Sequence, residues 1–222
     1  VGIPRVLNLW STHQFWIGFL DSLGIDGRRI AFSSDSSEDQ AREFGKGRGT
    51  VDCCYPVKCI SGHYGELLAR DGHHKIDLLL SPMITSLPSY LNGHVAASLA
   101  CPRVMAAPEN IKAGFLKETD VFADHGVRYA SPMASLADAP LVPKQLYEGL
   151  KDIIPGLTPE ETKRAVEKGF EALDGFAARL RDKGREILAQ CAKTGKPCLL
   201  VLARPYHMDP GIGHEIEIDL QG

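Results

Sequence analysis

Short apolar runs alternate with amphipathic stretches along the first 135 residues. The runs occupy residues 4–9, 29–32, 75–81, 102–106 and 128–131. Between the first two, residues 11–23 carry Phe15, Trp16, Phe19 and Leu20 at helical spacing. Short apolar strands that alternate with helices of about ten to fifteen residues are typical of βαβ units. The pattern therefore predicts an α/β fold with a doubly wound parallel sheet over residues 1–135.

A long helix is predicted after this region. Thr158, Pro159 and Glu161 match an N-cap, a first-turn proline and the third position of a capping box. Apolar or small side chains then recur at alternating steps of four and three residues, as in a heptad seam: Val166, Phe170, Leu173, Ala177, Leu180, Gly184, Ile187 and Cys191. The helix is expected to reach residue 193, with Gly195 at its C-terminal cap.

The run that follows this helix, residues 196–203, is almost entirely apolar and predicts a buried strand. Three parts result. Residues 1–135 form an α/β domain, residues 136–195 form a helical connection, and residues 196–222 form the incomplete start of a second α/β lobe.

Composition excludes several classes of protein. Hydrophobic residues make up 44% of the 222 residues and charged residues 24%, which excludes a disordered or fibrous chain. The net charge of −3 offers no basic excess for nucleic acid or an anionic membrane. No apolar run approaches the roughly 18–20 residues of a membrane span, and the first residues lack a signal-peptide pattern. We therefore expect a cytoplasmic protein with neither nucleic acid nor membrane as a partner.

Three of the six cysteines lie at the start of a predicted helix. Cys53, Cys54 and Cys59 surround Pro56, which suits a first turn, and Lys58 follows Cys54 by one turn. A helix N-terminus favours the thiolate, the form of cysteine that binds metals. Cysteines in this position also commonly fill a core. One of the three is the candidate ligand, and Cys54 is the best placed.

The other cysteines carry weaker signals. Cys101 precedes Pro102 after a loop that contains glycine and serine, and alone it indicates little. Cys191 and Cys198 fall in the helix seam and in the predicted strand, which favours a packing role for both. His63 is read either as a donor to a metal ligand or as a half-buried helix residue.

The segment 204–214 follows the predicted strand at its carboxyl end, where open α/β sheets bind ligands. His207, Asp209 and His214 could hold a zinc ion, or could hydrogen-bond the backbone of a turn rich in proline and glycine. Gly211 and Gly213 would let backbone amides approach an anion. We interpret the segment as a functional rim.

Four motifs together carry a resemblance to a known family. They are Gly2-Ile-Pro-Arg-Val-Leu7, Cys54-Tyr-Pro-Val-Lys58 with Gly62-His63, Cys101-Pro102, and Arg204-Pro-Tyr-His-Met-Asp-Pro-Gly-Ile-Gly-His214. In order and spacing they resemble the activase-related domain of the 2-hydroxyacyl-CoA dehydratase and benzoyl-CoA reductase superfamily. The resemblance covers nearly the whole chain. It implies Rossmann-like lobes and a [4Fe-4S] cluster that receives electrons from an ATP-hydrolysing activase.

The resemblance also implies roles for individual residues. Cys54 and Cys101 are the implied cluster ligands, and the third ligand is expected beyond residue 222. The remaining expected cofactor-binding residues are Lys58, Arg204, His207, Gly211, Gly213 and His214.

Three functions follow as hypotheses. The first is an iron-sulfur electron-transfer or reductase component, part of an oxidoreductase or dehydratase system, with an activase as partner and possible contact with a CoA ester. The second is a non-catalytic scaffold lobe that docks an activase. The third is a zinc-dependent hydrolase that uses His207, Asp209 and His214.

Overall fold

The computed structural model describes residues 1–49, 53–89, 91, 94 and 98–220. The strands are β1 (Gly2–Ile3), β2 (Ala31–Phe32), β3 (Leu78–Leu80), β4 (Met83–Ser86), β5 (Arg128–Ala130) and β6 (Met133–Ser135). The helices are α1 (Asn8–Ser22), α2 (Glu38–Phe44), α3 (Tyr55–Leu68), α4 (Pro102–Phe115), α5 (Val121–Asp124), α6 (Val142–Leu150), α7 (Pro159–Thr194), α8 (Pro210–Gly213) and α9 (Ile216–Asp219).

Four parallel strands form the central sheet in the order β2-β1-β3-β5. Helices cover both faces of this sheet. Tyr64 of α3 and Phe115 of α4 belong to the core on one face, whereas Phe15 and Trp16 of α1 belong to the core on the other. The prediction of an α/β fold with a doubly wound parallel sheet is confirmed.

Two of the strands continue beyond a proline. β3 is followed by Ser81-Pro82 and β4, and β5 is followed by Ser131-Pro132 and β6. Proline has no N–H to donate to a strand ladder, so the sheet is interrupted at both positions. Pairing resumes at once, because Met83 N donates to the Pro132 carbonyl at 2.9 Å. β4 and β6 therefore extend the two strands in parallel, beyond the carboxyl edge of the main sheet.

The predicted long helix is confirmed as one continuous helix of 36 residues, α7. Thr158 and Glu161 form the capping box, and Gly195 ends the helix with a φ of 67°. The first half packs closely on α1, where a Cβ on Gly169 would lie 2.8 Å from the Phe15 ring. The seam is buried only as far as Leu173, since Leu180 is 57% exposed. The heptad pattern therefore predicts the helix correctly, but it overestimates how much of the helix is buried.

Three predicted strands need correction. Residues 4–9 do not form one, because the strand is Gly2–Ile3 and α1 already begins at Asn8. Residues 102–106 are the first turn of α4, since Pro102 suits that turn and Val104, Ala107 and Ile111 form the buried side of the helix.

Residues 196–203 do not form a buried strand either. Leu200 is 82% and Leu202 is 87% exposed, and Cys198 is exposed as well. A strand exists only when its backbone pairs with a neighbour, and the described residues offer this segment no partner strand. The division into three parts stays a prediction, and residues 221 and 222 of the expected third part lie outside the described residues.

No helix in the described ranges combines the length and the apolar character that crossing a membrane requires.

Candidate functional site

Cys54 and Cys101 occupy equivalent positions at the N-caps of two helices of 14 residues each, α3 and α4. A proline follows in the first turn of both helices, at Pro56 and Pro102. Proline suits this position because the first N–H groups of a helix have no partner within it. Both thiols therefore lie where unpaired N–H groups and the helix dipole favour negative charge.

The topology brings both helix starts to one side of the sheet. Residues 69–77 lead from the end of α3 into β3, and residues 116–127, which include α5, lead from the end of α4 into β5. Each helix therefore runs back along the strand that follows it. Because those strands are parallel, the two N-termini lie at the carboxyl edge of the sheet, where α/β proteins bind ligands.

The electrostatic environment of Cys101 favours its thiolate. The backbone N–H groups of Val104 and Arg103 face the sulfur and lower the pKa of Cys101 below its usual value. The positive charges of Arg204 and Arg103 lower it further. The side chain is only half-buried, so an electrophile or a metal can reach it.

Arg204 connects the two cysteines. Its Nη1 donates to the Tyr206 hydroxyl at 2.8 Å, and this interaction is the main reason that the pKa of Arg204 is raised. Cys101 and Cys54 raise it as well, because a thiolate at either position attracts the guanidinium. One cation from the 204–214 segment therefore acts on both thiols.

The two neighbouring cysteines have different surroundings. Cys59 is 1% exposed within α3, and burial raises the pKa of its thiol to about 11. Such a thiol stays protonated and fills the core. Cys53 is half-buried and packs against the same core, whereas Cys54 is exposed. Of the three, Cys54 alone combines an N-cap position with exposure, and Lys58 lies one turn along the helix from it.

Asp209 anchors the 204–214 segment to the loop that follows β2. The side chain is completely buried, and its carboxylate accepts hydrogen bonds from the Ser36 hydroxyl at 2.6 Å and the Ser36 N–H at 3.1 Å. The Gly211 N–H donates to the same carboxylate at 3.2 Å. These contacts occupy the carboxylate that the zinc hypothesis requires, so Asp209 is a structural residue.

His63 extends this polar contact into the core. Its Nε2 lies 2.8 Å from the Ser36 hydroxyl and its Nδ1 lies 2.7 Å from the Ser33 hydroxyl. Because the Ser36 proton is donated to Asp209, Nε2 carries the imidazole proton and Nδ1 accepts from Ser33. Burial lowers the pKa of His63 to about 4. The side chain is fully buried, so the interpretation of His63 as a half-buried helix residue is wrong.

The two glycines of the segment lie in close contact with neighbouring backbone. A Cβ on Gly211 would lie 1.9 Å from the Ser36 carbonyl oxygen, and one on Gly213 would lie 2.2 Å from the His207 carbonyl oxygen. Their N–H groups donate to the Asp209 side chain and the Asp209 carbonyl. Glycine is required at both positions for close packing, and both amides are paired within the segment. The expectation that they contact a cofactor stays a prediction.

The two histidines of the segment contact different neighbours. His214 stacks on Tyr55, the first residue of α3, with 5.5 Å between ring centroids. His207 packs against Tyr206, and its Nδ1 is buried without a hydrogen-bond partner. Only His214 is therefore placed directly beside the helix that Cys54 caps.

Sequence reasoning missed the serines that hold Asp209 and His63. Ser33 and Ser36 lie in the polar run directly after β2. Gln40 and Glu66 join them, with Gln40 Nε2 donating to Glu66 Oε2 at 2.7 Å. Their position in the sequence could have indicated this role, because polar residues at the carboxyl end of a buried strand commonly meet partners from other loops.

Within the described part of the chain, no three His, Cys, Asp or Glu side chains come together as a group that could hold a metal ion.

Comparison with known proteins gives one match. The model of a protein family described as "CoA enzyme activase uncharacterised domain" matches residues 1–222. Searches of curated proteins and of solved structures found no match.

Proposed function

The chain belongs to the family described as the CoA enzyme activase uncharacterised domain, and on this premise we propose that it is an iron-sulfur electron-transfer domain. In this proposal Cys54 and Cys101 supply two thiolates to a [4Fe-4S] cluster. The partner is an ATP-hydrolysing activase, and the wider system is a reductase or dehydratase that acts on a CoA ester. The domain is one component of that system.

The observation that carries the proposal is that Cys54 and Cys101 cap the N-termini of two helices at the same edge of the sheet. Thiolates bound to an iron-sulfur cluster bring negative charge into a partly buried site, and that charge needs compensation. The two helix N-termini and the positive charge of Arg204 supply it without coordinating metal. The lowered pKa of Cys101 adds to the argument, because the thiolate is the form that binds iron.

The two cysteines fit a cluster that is shared with another polypeptide segment better than a cluster held by the described residues alone. Thiolate sulfur is the ligand type that iron-sulfur clusters require, and such clusters usually need four ligands. Cys54 and Cys101 would supply two, and the other ligands would come from a polypeptide segment outside the described residues. The site would then form where this domain meets that segment.

When bound, the cluster would supply one-electron transfer at low potential. The residues of this chain would hold and tune it. Cys54 and Cys101 would anchor it, and Arg204 would favour its more negative state. The Asp209 and Ser36 contact would keep Arg204 in place, because Arg204 belongs to the same segment as Asp209. Tyr55 and His214 would cover one side of Cys54.

A second candidate function is a scaffold lobe that docks an activase and binds no metal. The observation in its favour is that fewer than three metal-ligating side chains meet within the described residues. The exposed apolar segment that contains Leu200 and Leu202 adds a surface suited to a protein partner.

Anaerobic reconstitution separates the two functions. The chain is incubated with ferrous iron, sulfide and a small external thiol that can complete the coordination, and iron content and the EPR spectrum after reduction are measured. The electron-transfer proposal predicts an iron-sulfur signal in the wild type that is lost in Cys54→Ser and in Cys101→Ser.

Cys191→Ser and Cys198→Ser serve as matched controls, because both cysteines lie at the far end of α7 and should leave the signal unchanged. A wild type that binds no iron under these conditions would contradict the proposal and favour the scaffold function. Equal iron in all five proteins would also contradict it, since binding would then be independent of the assigned thiols.

A further inference from the structure

A basic cavity lies at the amino edge of the sheet, opposite the cysteines. It has a volume of about 550 Å³, and the first residues of β2, β3 and β5 line it. Its charged and titratable lining consists of Arg28, Arg29, Arg70, His73, His74, Lys75, Arg128 and Asp77. Five permanent cations therefore face one carboxylate, although the whole chain carries a net charge of −3.

Some of this charge is already compensated. Arg28 pairs with Asp26, and Arg70 pairs with Glu66. Arg29, Lys75 and Arg128 have no carboxylate within ion-pair distance among the residues that the structure describes, and Arg128 donates only to the Ile153 carbonyl. Three cations thus remain against Asp77.

The three cations are distributed along the sheet edge. Arg29 precedes β2, Lys75 precedes β3 and Arg128 begins β5. The Lys75 ammonium lies 3.7 Å from the position that a Cβ on Gly126 would occupy, which places it beside the turn that leads into β5. In the strand order β2-β1-β3-β5 the outer two strands are three spacings apart, about 14 Å. A ligand that uses all three cations must be elongated.

Apolar residues complete the wall. Ile25, Ile153, Ile154 and Pro155 line the same cavity. A volume of this size, with apolar walls and a few converging charged groups, is usual for a small-molecule site. A cavity of similar volume, about 540 Å³, offers a contrast: it is lined by Glu161, Glu167 and Glu171 together with Arg164 and Lys168, so its charges nearly cancel.

We propose that the basic cavity binds an organic phosphate that carries at least two negative charges, with its phosphates at Lys75 and Arg128 and its uncharged part extending along the apolar wall towards Arg29. Ammonium and guanidinium groups are the side chains that recognise phosphate, and Arg does so with two parallel hydrogen bonds. The apolar wall would contact the uncharged part of the ligand, as in a nucleoside diphosphate. This site is independent of the cysteines.

Isothermal titration calorimetry with ADP as the probe tests the proposal on the full chain. We expect one ADP per chain and a dissociation constant that rises with salt. Removing one charged contact should weaken binding roughly tenfold or more, so Lys75→Gln and Arg128→Gln should each show this loss. Arg164→Gln, in the cavity of mixed charge, is the matched control and should bind ADP as the wild type does.

Two further probes distinguish the parts of the ligand. Adenosine should not bind, and pyrophosphate should bind more weakly than ADP, because it lacks the body that contacts the apolar wall. No saturable binding of ADP up to about 10 mM would overturn the proposal. Unchanged affinity in both Lys75→Gln and Arg128→Gln would overturn it as well, and so would adenosine binding as tightly as ADP.

Discussion

The hydroxyl of Ser36 donates a hydrogen bond of 2.6 Å to the carboxylate of Asp209, a residue 173 positions further along the chain. This contact joins the polar loop after β2 to the segment that carries Arg204. It therefore holds Arg204, whose pKa is affected by Cys54 and Cys101, to the part of the chain that forms the sheet.

Replacing Asp209 with asparagine should destabilise the protein. The amide would present a donor to Ser36 Oγ, whose own proton would lose its acceptor while buried. An unsatisfied buried group costs about 1–3 kcal/mol, which urea denaturation can measure. Asp174→Asn is the control, because Asp174 is exposed on α7, and it should change the free energy of unfolding by under about 0.5 kcal/mol. Equal effects of the two substitutions would contradict the anchoring role of Asp209.

His63 should make stability depend on pH. Burial lowers its pKa to about 4, whereas an unfolded histidine titrates near 6.5, so the fold holds the neutral imidazole. The stability from this preference is fully present above about pH 6.5 and is lost as pH falls towards 4, by up to about 3 kcal/mol. His63→Gln should therefore lose less unfolding free energy than the wild type between pH 7 and pH 4.

The control for His63 is His74→Gln, at an exposed position. It should keep the pH profile of the wild type. Direct titration of the imidazole by NMR provides a second measurement. A His63 signal that titrates near 6.5 in the folded protein would show that the side chain is not held neutral by burial.

Alkylation of Cys101 should be slower when Arg204 is replaced than in the wild type. The backbone N–H groups of Val104 and Arg103 lower the pKa of the thiol, and Arg204 contributes to the shift. Iodoacetamide reacts with the thiolate, so Arg204→Gln should slow modification of Cys101 at neutral pH, as measured by peptide mass spectrometry. Arg179→Gln, an exposed change on α7, is the control. An unchanged rate in Arg204→Gln would remove Arg204 from the site.

Two glycines of α7 should respond to alanine in opposite directions. A Cβ at Gly169 would lie 2.8 Å from the Phe15 ring and 2.9 Å from the Phe15 carbonyl oxygen, so Gly169→Ala should cost about 1–3 kcal/mol. Gly184 has no neighbour within 4 Å of that position, so Gly184→Ala should add about 0.5–1 kcal/mol through helix propensity. Chemical denaturation measures both. A stabilising Gly169→Ala would show that α1 and α7 are not in close contact.

Local signals in the sequence predicted much of the fold. The capping box at Thr158, the proline at Pro56 and the cap at Gly195 act within a few residues, and the structure confirms the helix ends they predict. The apolar run at residues 102–106 was misassigned because short buried segments look alike in helices and strands. The exposed run at residues 196–203 shows that an apolar sequence becomes a strand only when a partner strand is present.

A repeated signal was overlooked. The sequence Ser-Pro-Met occurs at residues 81–83 and again at 131–133, and in both places it marks the break at which a strand of the main sheet gives way to its extension. The contact between Ser36 and Asp209 is a different case. Only the folded chain brings two residues so distant in sequence together, so local patterns could not predict it.

The central claim is that Cys54 and Cys101 serve one cluster, and a short bifunctional thiol reagent tests it most directly. Dibromobimane links two thiols only when they lie close together, and peptide mass spectrometry identifies which pair was joined. The account predicts a cross-linked peptide pair that contains Cys54 and Cys101 and disappears when either is replaced by serine. Separate single adducts on both cysteines, without that cross-link, would contradict the shared site.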